Sequence, residues 1–206
     1  DGFSTPHFLS LGDGAVQVEP SSLQSDVIEL PILRLETISA NLEKKGGQSN
    51  YKVILDNLEK VSGGGEKRAE PKPSTGDEKK LVVRELVIRD VNVHVDLLGL
   101  PGGGEAGPGA AFQKLTSVDI PIDEIKLTDV GQTGEGVGGT GVTFSELTSI
   151  IVQAVLAAAV QKGGDVIPSD ILGELQGGLA GLTDLSNLGL SVVGDAPAQV
   201  QKLAEE

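Results

Sequence analysis

His94 and Asp96 stand two residues apart in the alternating run VNVHVD, so on a strand both side chains leave the same face, and together they could offer an imidazole nitrogen and a carboxylate oxygen to a metal ion. No third ligand accompanies them at a workable spacing. His7, the only other histidine, precedes the first strand-like segment, and with no cysteine in the chain there are no thiolate ligands, thiol nucleophiles or disulfides. Asp123 with Glu124, and Asp90 with Asp96, are carboxylate pairs of the kind acid–base chemistry uses, but 30 acidic residues in 206 produce such pairs by chance. Gly134, Gly136 and Gly139 match the spacing of a dinucleotide fingerprint. A true fingerprint buries its third glycine inside the following helix, whereas the capping pair Thr143 and Glu146 starts this helix four residues after Gly139. Neither a nucleophile elbow nor a phosphate loop with lysine is present. The residues therefore point to a protein that is not an enzyme, with no catalytic residues, no cofactor and no metal.

Charge and composition narrow the partners. A formal charge of -14 repels nucleic acid and anionic headgroups, and four Phe with one Tyr leave no platform for stacking bases, so no nucleic-acid partner is expected. The longest apolar run, Leu147 to Val160, covers about 14 residues and is interrupted by Gln153, short of the roughly 20 that cross hydrocarbon. The chain opens at Asp1 and has no methionine, so it reads as processed or excised, and any signal peptide or membrane anchor would lie upstream of it.

The elements that would carry any site are set off by glycine and proline. The stretch from Gly63 to Lys80 has no large apolar side chain and is expected to be a disordered loop. Pro101 to Ala110 and Gly131 to Gly141 are expected to be flexible connections. Between them one apolar template recurs three times. It reads Ile28, Leu30, Leu33, Leu35, Ile38, then Leu81, Val83, Leu86, Ile88, Val91, then Ile120, Ile122, Ile125, Leu127, Val130. Each copy has spacing two, three, two, three, which is strand alternation broken by a one-residue slip, so each unit reads as a bent strand. Thr37, Asp90 and Asp129 precede the last apolar position, where a short polar side chain favours a turn. The first two copies continue in alternation through Leu42 and Val95 and are read as strand pairs or hairpins. Leu35, Ile88 and Leu127 should face the core, while Arg34, Val87 and Lys126, one place earlier, should tolerate charge.

Helical spacing follows these units. Tyr51, Ile54, Leu55 and Leu58 make one apolar face, capped by Ser49 or Asn50. Leu147, Ile150, Ile151, Ala154, Val155 and Ala158 make a second, ending at Lys162. A third helix starts near Pro168 and Ser169 with Leu172, Leu175, Leu179 and Leu182 on one side; Gly173, Gly177 and Gly181 recur every four residues beside them, as close approach of another backbone would require. A further helix is expected to begin after Asp195.

The N-terminal run from Gly2 through Leu58 resembles the β-rich region of AsmA-like proteins. The resemblance lies in Gly2-Phe3-Ser4 through Leu11-Gly12, a strand at Ala15 to Val18, a small polar helix at Ser21 to Ser25, a strand hairpin from Ile28 to Leu42, and a helix start at Ser49. The run LVVRELVIRDVNVHVDL resembles that family's repeating strand. The resemblance implies an envelope protein on the periplasmic side of the inner membrane, held there by an upstream anchor and handling lipid along an apolar groove. The helical, glycine-rich end from Thr143 onward is a departure from it.

The resulting expectation is an α+β fold: a curved, mainly antiparallel sheet of bent strands packed against amphipathic helices. Residues 1–142 would form the β-rich domain and residues 143–206 a helical segment packed on it. If the helix from Thr143 leaves the sheet partly open, Ile122, Leu127, Ile151 and Val155 would line a groove for lipid. The competing expectation is a structural or self-assembling homo-oligomer without ligand, with Gly173, Gly177 and Gly181 as its contact ridge.

Overall fold

The computed structural model describes residues 3, 5–45, 47–61, 79–96, 117–132, 141–180 and 189–193. The strands are β1 (Leu9–Gln17), β2 (Val27–Lys45), β3 (Gln48–Ser49), β4 (Lys80–Asp96), β5 (Ser117–Val130) and β6 (Ser191–Val193). The helices are α1 (Asn50–Val61), α2 (Phe144–Gly163) and α3 (Ser169–Ala180). The fold is α+β. Five strands form one path, β1-β2-β4-β5-β6, and β3 pairs with the end of β2. Most pairings are antiparallel, as expected, but the central pair β2 and β4 is parallel, which makes the sheet mixed. Parallel neighbours need a long crossover, and α1 supplies it.

Each template copy is one continuous bent strand, not a hairpin. The reason lies at the slips. Thr37, Asp90 and Asp129 adopt φ of 59°, 52° and 55°, the left-handed region, while the chain continues in its own strand beyond each of them. Neighbouring strands slip at matching places, so the ladder keeps its register. Thr37 and Asp90 lie side by side between the rungs Glu36–Arg89 and Ile38–Val91. Gly12 faces Thr37 and Asp123 faces Asp90 in the same row, and Pro31, Arg84 and Asp129 form a second row. At Gly12 a Cβ would come within 2.9 Å of the Thr37 Cβ, which accounts for the glycine.

The slips keep the apolar positions on one face. Leu35, Ile38, Leu86, Ile88, Val91, Ile120, Ile122, Ile125 and Leu127 are buried there in one core. The expectation for Val87 is corrected: it lies on the opposite face, between Arg34 and Lys126 in register, yet is 4 % exposed.

Helix α2 begins where its capping box dictates, with Thr143 Oγ1 accepting from the Glu146 amide and the Thr143 amide donating to Glu146 Oε2 at 2.8 Å. It lies over β5 and β4, and its buried residues run almost all the way round it. By length and composition α2 could span a membrane, further than the 14-residue run implied, but half of it is buried as the core helix of the domain. Helix α1 starts at Asn50 as expected, although Asn50 is not a simple cap. Its Oδ1 accepts from the Glu43 amide at 2.9 Å and its Nδ2 donates to the Asn41 carbonyl at 2.8 Å, so the side chain continues the β2 ladder into the helix.

Helix α3 packs on α1 and α2. Its buried side chains are Ile171 and Leu175, with Leu172 and Leu179 half-buried, so the face turns slightly from the one expected. The loop expected over Gly63 to Lys80 ends at Lys79, because Lys80 already pairs with Val27 in β4. Residues 62–78, the glycine clusters at 101–110 and 133–140, Leu182 and the segment after Asp195 lie outside the described residues.

Candidate interaction surface

His94 and Asp96 share the polar face of β4, and His94 Nδ1 lies 2.9 Å from Asp119 Oδ1 on β5, its rung partner. Among the described residues no group of three or more His, Cys, Asp or Glu could hold a metal ion. His7 contributes its backbone carbonyl to Asn41 Nδ2 at 3.0 Å. Asp123 sits in the slip row beside Asp90, while Glu124 is engaged by Arg89 at 2.9 Å. Gly134, Gly136 and Gly139 lie outside the described residues.

The densest polar cluster was not legible in the sequence. Glu174 on α3 accepts from Tyr51 Oη at 2.7 Å, Ser49 Oγ at 3.3 Å and Lys44 Nζ at 2.8 Å; Lys44 also reaches Asp170 at 3.1 Å. The Lys44 ammonium holds the Glu174 carboxyl below its usual range, and the Glu174 carboxylate in turn raises Lys44. Burial, followed by the bond to Glu174, pushes the Tyr51 phenol well above its ordinary value. Four elements meet here, and each group is spent on another. The arrangement locks α3 to β2, β3 and α1 and leaves no activated nucleophile.

The groove expected at Ile122, Leu127, Ile151 and Val155 is filled. Ile122, Leu127 and Val155 are at most 1 % exposed within the core, and Ile151 is partly buried against it. The physical reason is helix coverage: α2 seals β4 and β5 along its length, with Gly163 set so close that an added Cβ would lie 2.5 Å from Ile120 Cδ1. Among the described residues, Gly173 and Gly177 of the ridge on α3 meet no other backbone either. Gly173 and Gly177 face open space, and Gly181 lies outside the described residues. Close approach falls instead on Gly178, where a Cβ would meet Leu55 Cδ1 at 2.6 Å.

Among the described residues, a group of exposed apolar side chains lies at the other end of the sheet. Leu11 and Val16 on β1 are rung partners of the core-facing Ile38 and Leu33, so they lie on the apolar face, yet they are 48 % and 54 % exposed. Val18 and Leu23, just beyond β1, are also exposed. Helix α1 packs on β2 and β3 and α2 on β4 and β5, so among the described residues the main helix cover stops short of β1. β1 also carries a fourth copy of the template, Leu9, Leu11, Gly14 and Val16, again with spacing two, three, two. Glycine at an apolar position hides that copy from a hydrophobic pattern; the spacing was the available signal.

Fold and surface together define an α+β domain with a helix-covered mixed sheet and one apolar strip open beside an edge strand. Comparison with protein families, characterised proteins and solved structures finds no match to this chain.

Proposed function

We propose that this chain is a non-enzymatic envelope domain that shelters or passes an apolar ligand, a lipid acyl chain above all, on the sheet face beside β1. One observation carries this reading: the apolar face of a sheet is covered by helices across β2 to β5 and left bare at Leu11 and Val16. Bare apolar side chains grouped on one face mark contact surfaces, and here the contact is with side chains that offer no hydrogen bond. The resemblance of the N-terminal run to AsmA-like proteins supports this reading, since it implies a lipid-handling protein of the envelope on the periplasmic side of the inner membrane. The test is binding of a fluorescent fatty acid to the purified chain. Leu11→Lys and Val16→Lys should weaken binding at least tenfold with an unchanged melting temperature. Ile151→Ala, at a partly buried position of the packed core, should leave binding unaltered. Undiminished binding in both lysine variants would overturn the proposal.

A second reading, a self-assembling protein without ligand, draws on a different observation: among the described residues β1 pairs with β2 alone, so its outer edge is open.

A further inference from the structure

We infer that the occupant of the open β1 edge is the β1 strand of a second copy of this chain, paired antiparallel about a twofold axis between Gly12 and Asp13. This inference rests on the self-assembly reading and is independent of any ligand. The observations begin with the edge itself. β1 is nine residues long, carries one charge (Asp13) and contains neither lysine nor proline, the usual guards of an exposed edge. The slip at Gly12 is no guard here, because β2 and β4 carry the same slip and pair through it.

The register follows from the template. Its spacing of two, three, two reads the same in both directions, which is how β4 and β5 pair antiparallel with apolar residues matched: Val83 with Val130, Leu86 with Leu127, Ile88 with Ile125, Val91 with Ile122. The same rule on the free edge of β1 sets Leu9 opposite Val16 of the second copy and Leu11 opposite Gly14. The slip residues Gly12 and Asp13 then face each other, and Ser10 meets Ala15 on the polar face. Both apolar strips come to lie on one side of the joined sheet, as a twofold axis normal to it requires. A twofold contact uses the β1 edge of both copies at once, so pairing through β1 closes at two copies instead of propagating.

Backbone direction agrees. The Asn41 amide donates to the Phe8 carbonyl at 2.7 Å, so by alternation Ser10 also turns its N–H and C=O to β2, and Leu9 and Leu11 turn theirs to the open edge. Ser10 would then sit in a non-hydrogen-bonded pair across the new interface, where opposed Cα atoms come to about 4.5 Å and a disulfide fits. The chain has no cysteine of its own to interfere.

The experiment mixes two single variants, Ser10→Cys and Ala15→Cys, both at exposed positions on the polar face, under mild oxidation. Cross-linked dimer should form in the mixture and not from either variant alone, since each position would lie roughly 17 Å from its own copy, five residues along a strand. Sedimentation of the unmodified chain should report a dimer that Asp13→Asn and added salt tighten, because two Asp13 carboxylates flank the axis. A monomer at every concentration would overturn the inference and the self-assembly reading together. A dimer without mixture-specific cross-linking would overturn the inference alone.

Discussion

Thr37 Oγ1 donates to Asp90 Oδ2 at 3.1 Å across the parallel pair β2 and β4, and both residues hold positive φ. A β-branched residue in the left-handed region is an outlier, with a conformational cost of about 1 kcal/mol or more. It persists because the slip of one strand must match the slip of the next, and the bond ties the two slips together. Thr37→Asn should stabilise the fold by roughly 0.5–1 kcal/mol, since Asn tolerates this conformation and can still bond Asp90. Thr37→Val should destabilise it by about 1 kcal/mol, because the strain stays and the hydrogen bond goes. Chemical denaturation of the two variants checks the ordering.

Stability should fall at both ends of the pH scale through the lock around Glu174. The folded Glu174 carboxyl titrates below its unfolded value, so its contribution is present above pH about 4 and lost as pH drops through the folded pKa. Lys44 and Tyr51 titrate above theirs, so their contributions are complete below pH about 10 and lost as pH rises through the folded pKa. Glu174→Gln should cost about 1–2 kcal/mol at neutral pH and flatten the acid limb of the stability profile. Tyr51 is the sole tyrosine, so phenolate absorbance reads it directly; it should ionise only with unfolding in the native chain and nearer its ordinary value in Glu174→Gln.

Gln153 is fully buried on α2, its Nε2 donates to Ser149 Oγ at 2.8 Å, and its Oε1 has no hydrogen-bond partner among the described residues. An unsatisfied buried carbonyl costs roughly 1–3 kcal/mol. Gln153→Met should therefore stabilise the chain by about 1 kcal/mol, measured as a rise in the denaturation midpoint at constant slope.

Substitutions at the glycines of α3 should split by position. Gly173→Ala and Gly177→Ala meet open space inside a helix and should each stabilise by about 0.5–1 kcal/mol. Gly178→Ala drives a methyl into Leu55 and should destabilise by about 1–3 kcal/mol. Thermal melts of the three variants decide it. Loss of self-association in Gly173→Ala or Gly177→Ala with no loss of fold would move the contact surface from β1 to α3.

The amino-acid sequence by itself determined where the elements lie and where the strands slip. Alternation broken near Thr37, Asp90 and Asp129 marks a bend in each strand pattern, though not whether the chain turns back there, and the Thr143 and Glu146 box starts α2 through bonds made within one turn. Only the tertiary structure decided direction. A template spaced two, three, two matches its neighbour equally well parallel or antiparallel, so nothing in the side-chain pattern shows that β2 and β4 run together while β5 runs back; connection lengths and helix packing choose. The same holds for what is covered. The apolar residues Leu127 and Leu11 sit in the same kind of pattern, but α2 lies over the strand that carries the first while Leu11 stays exposed among the described residues, and that difference comes from where helices dock, a long-range outcome no local spacing encodes. The lock of Lys44, Tyr51 and Glu174 was invisible for the same reason: Glu174 lies more than 120 residues from the other two and meets them only because α3 folds back onto α1.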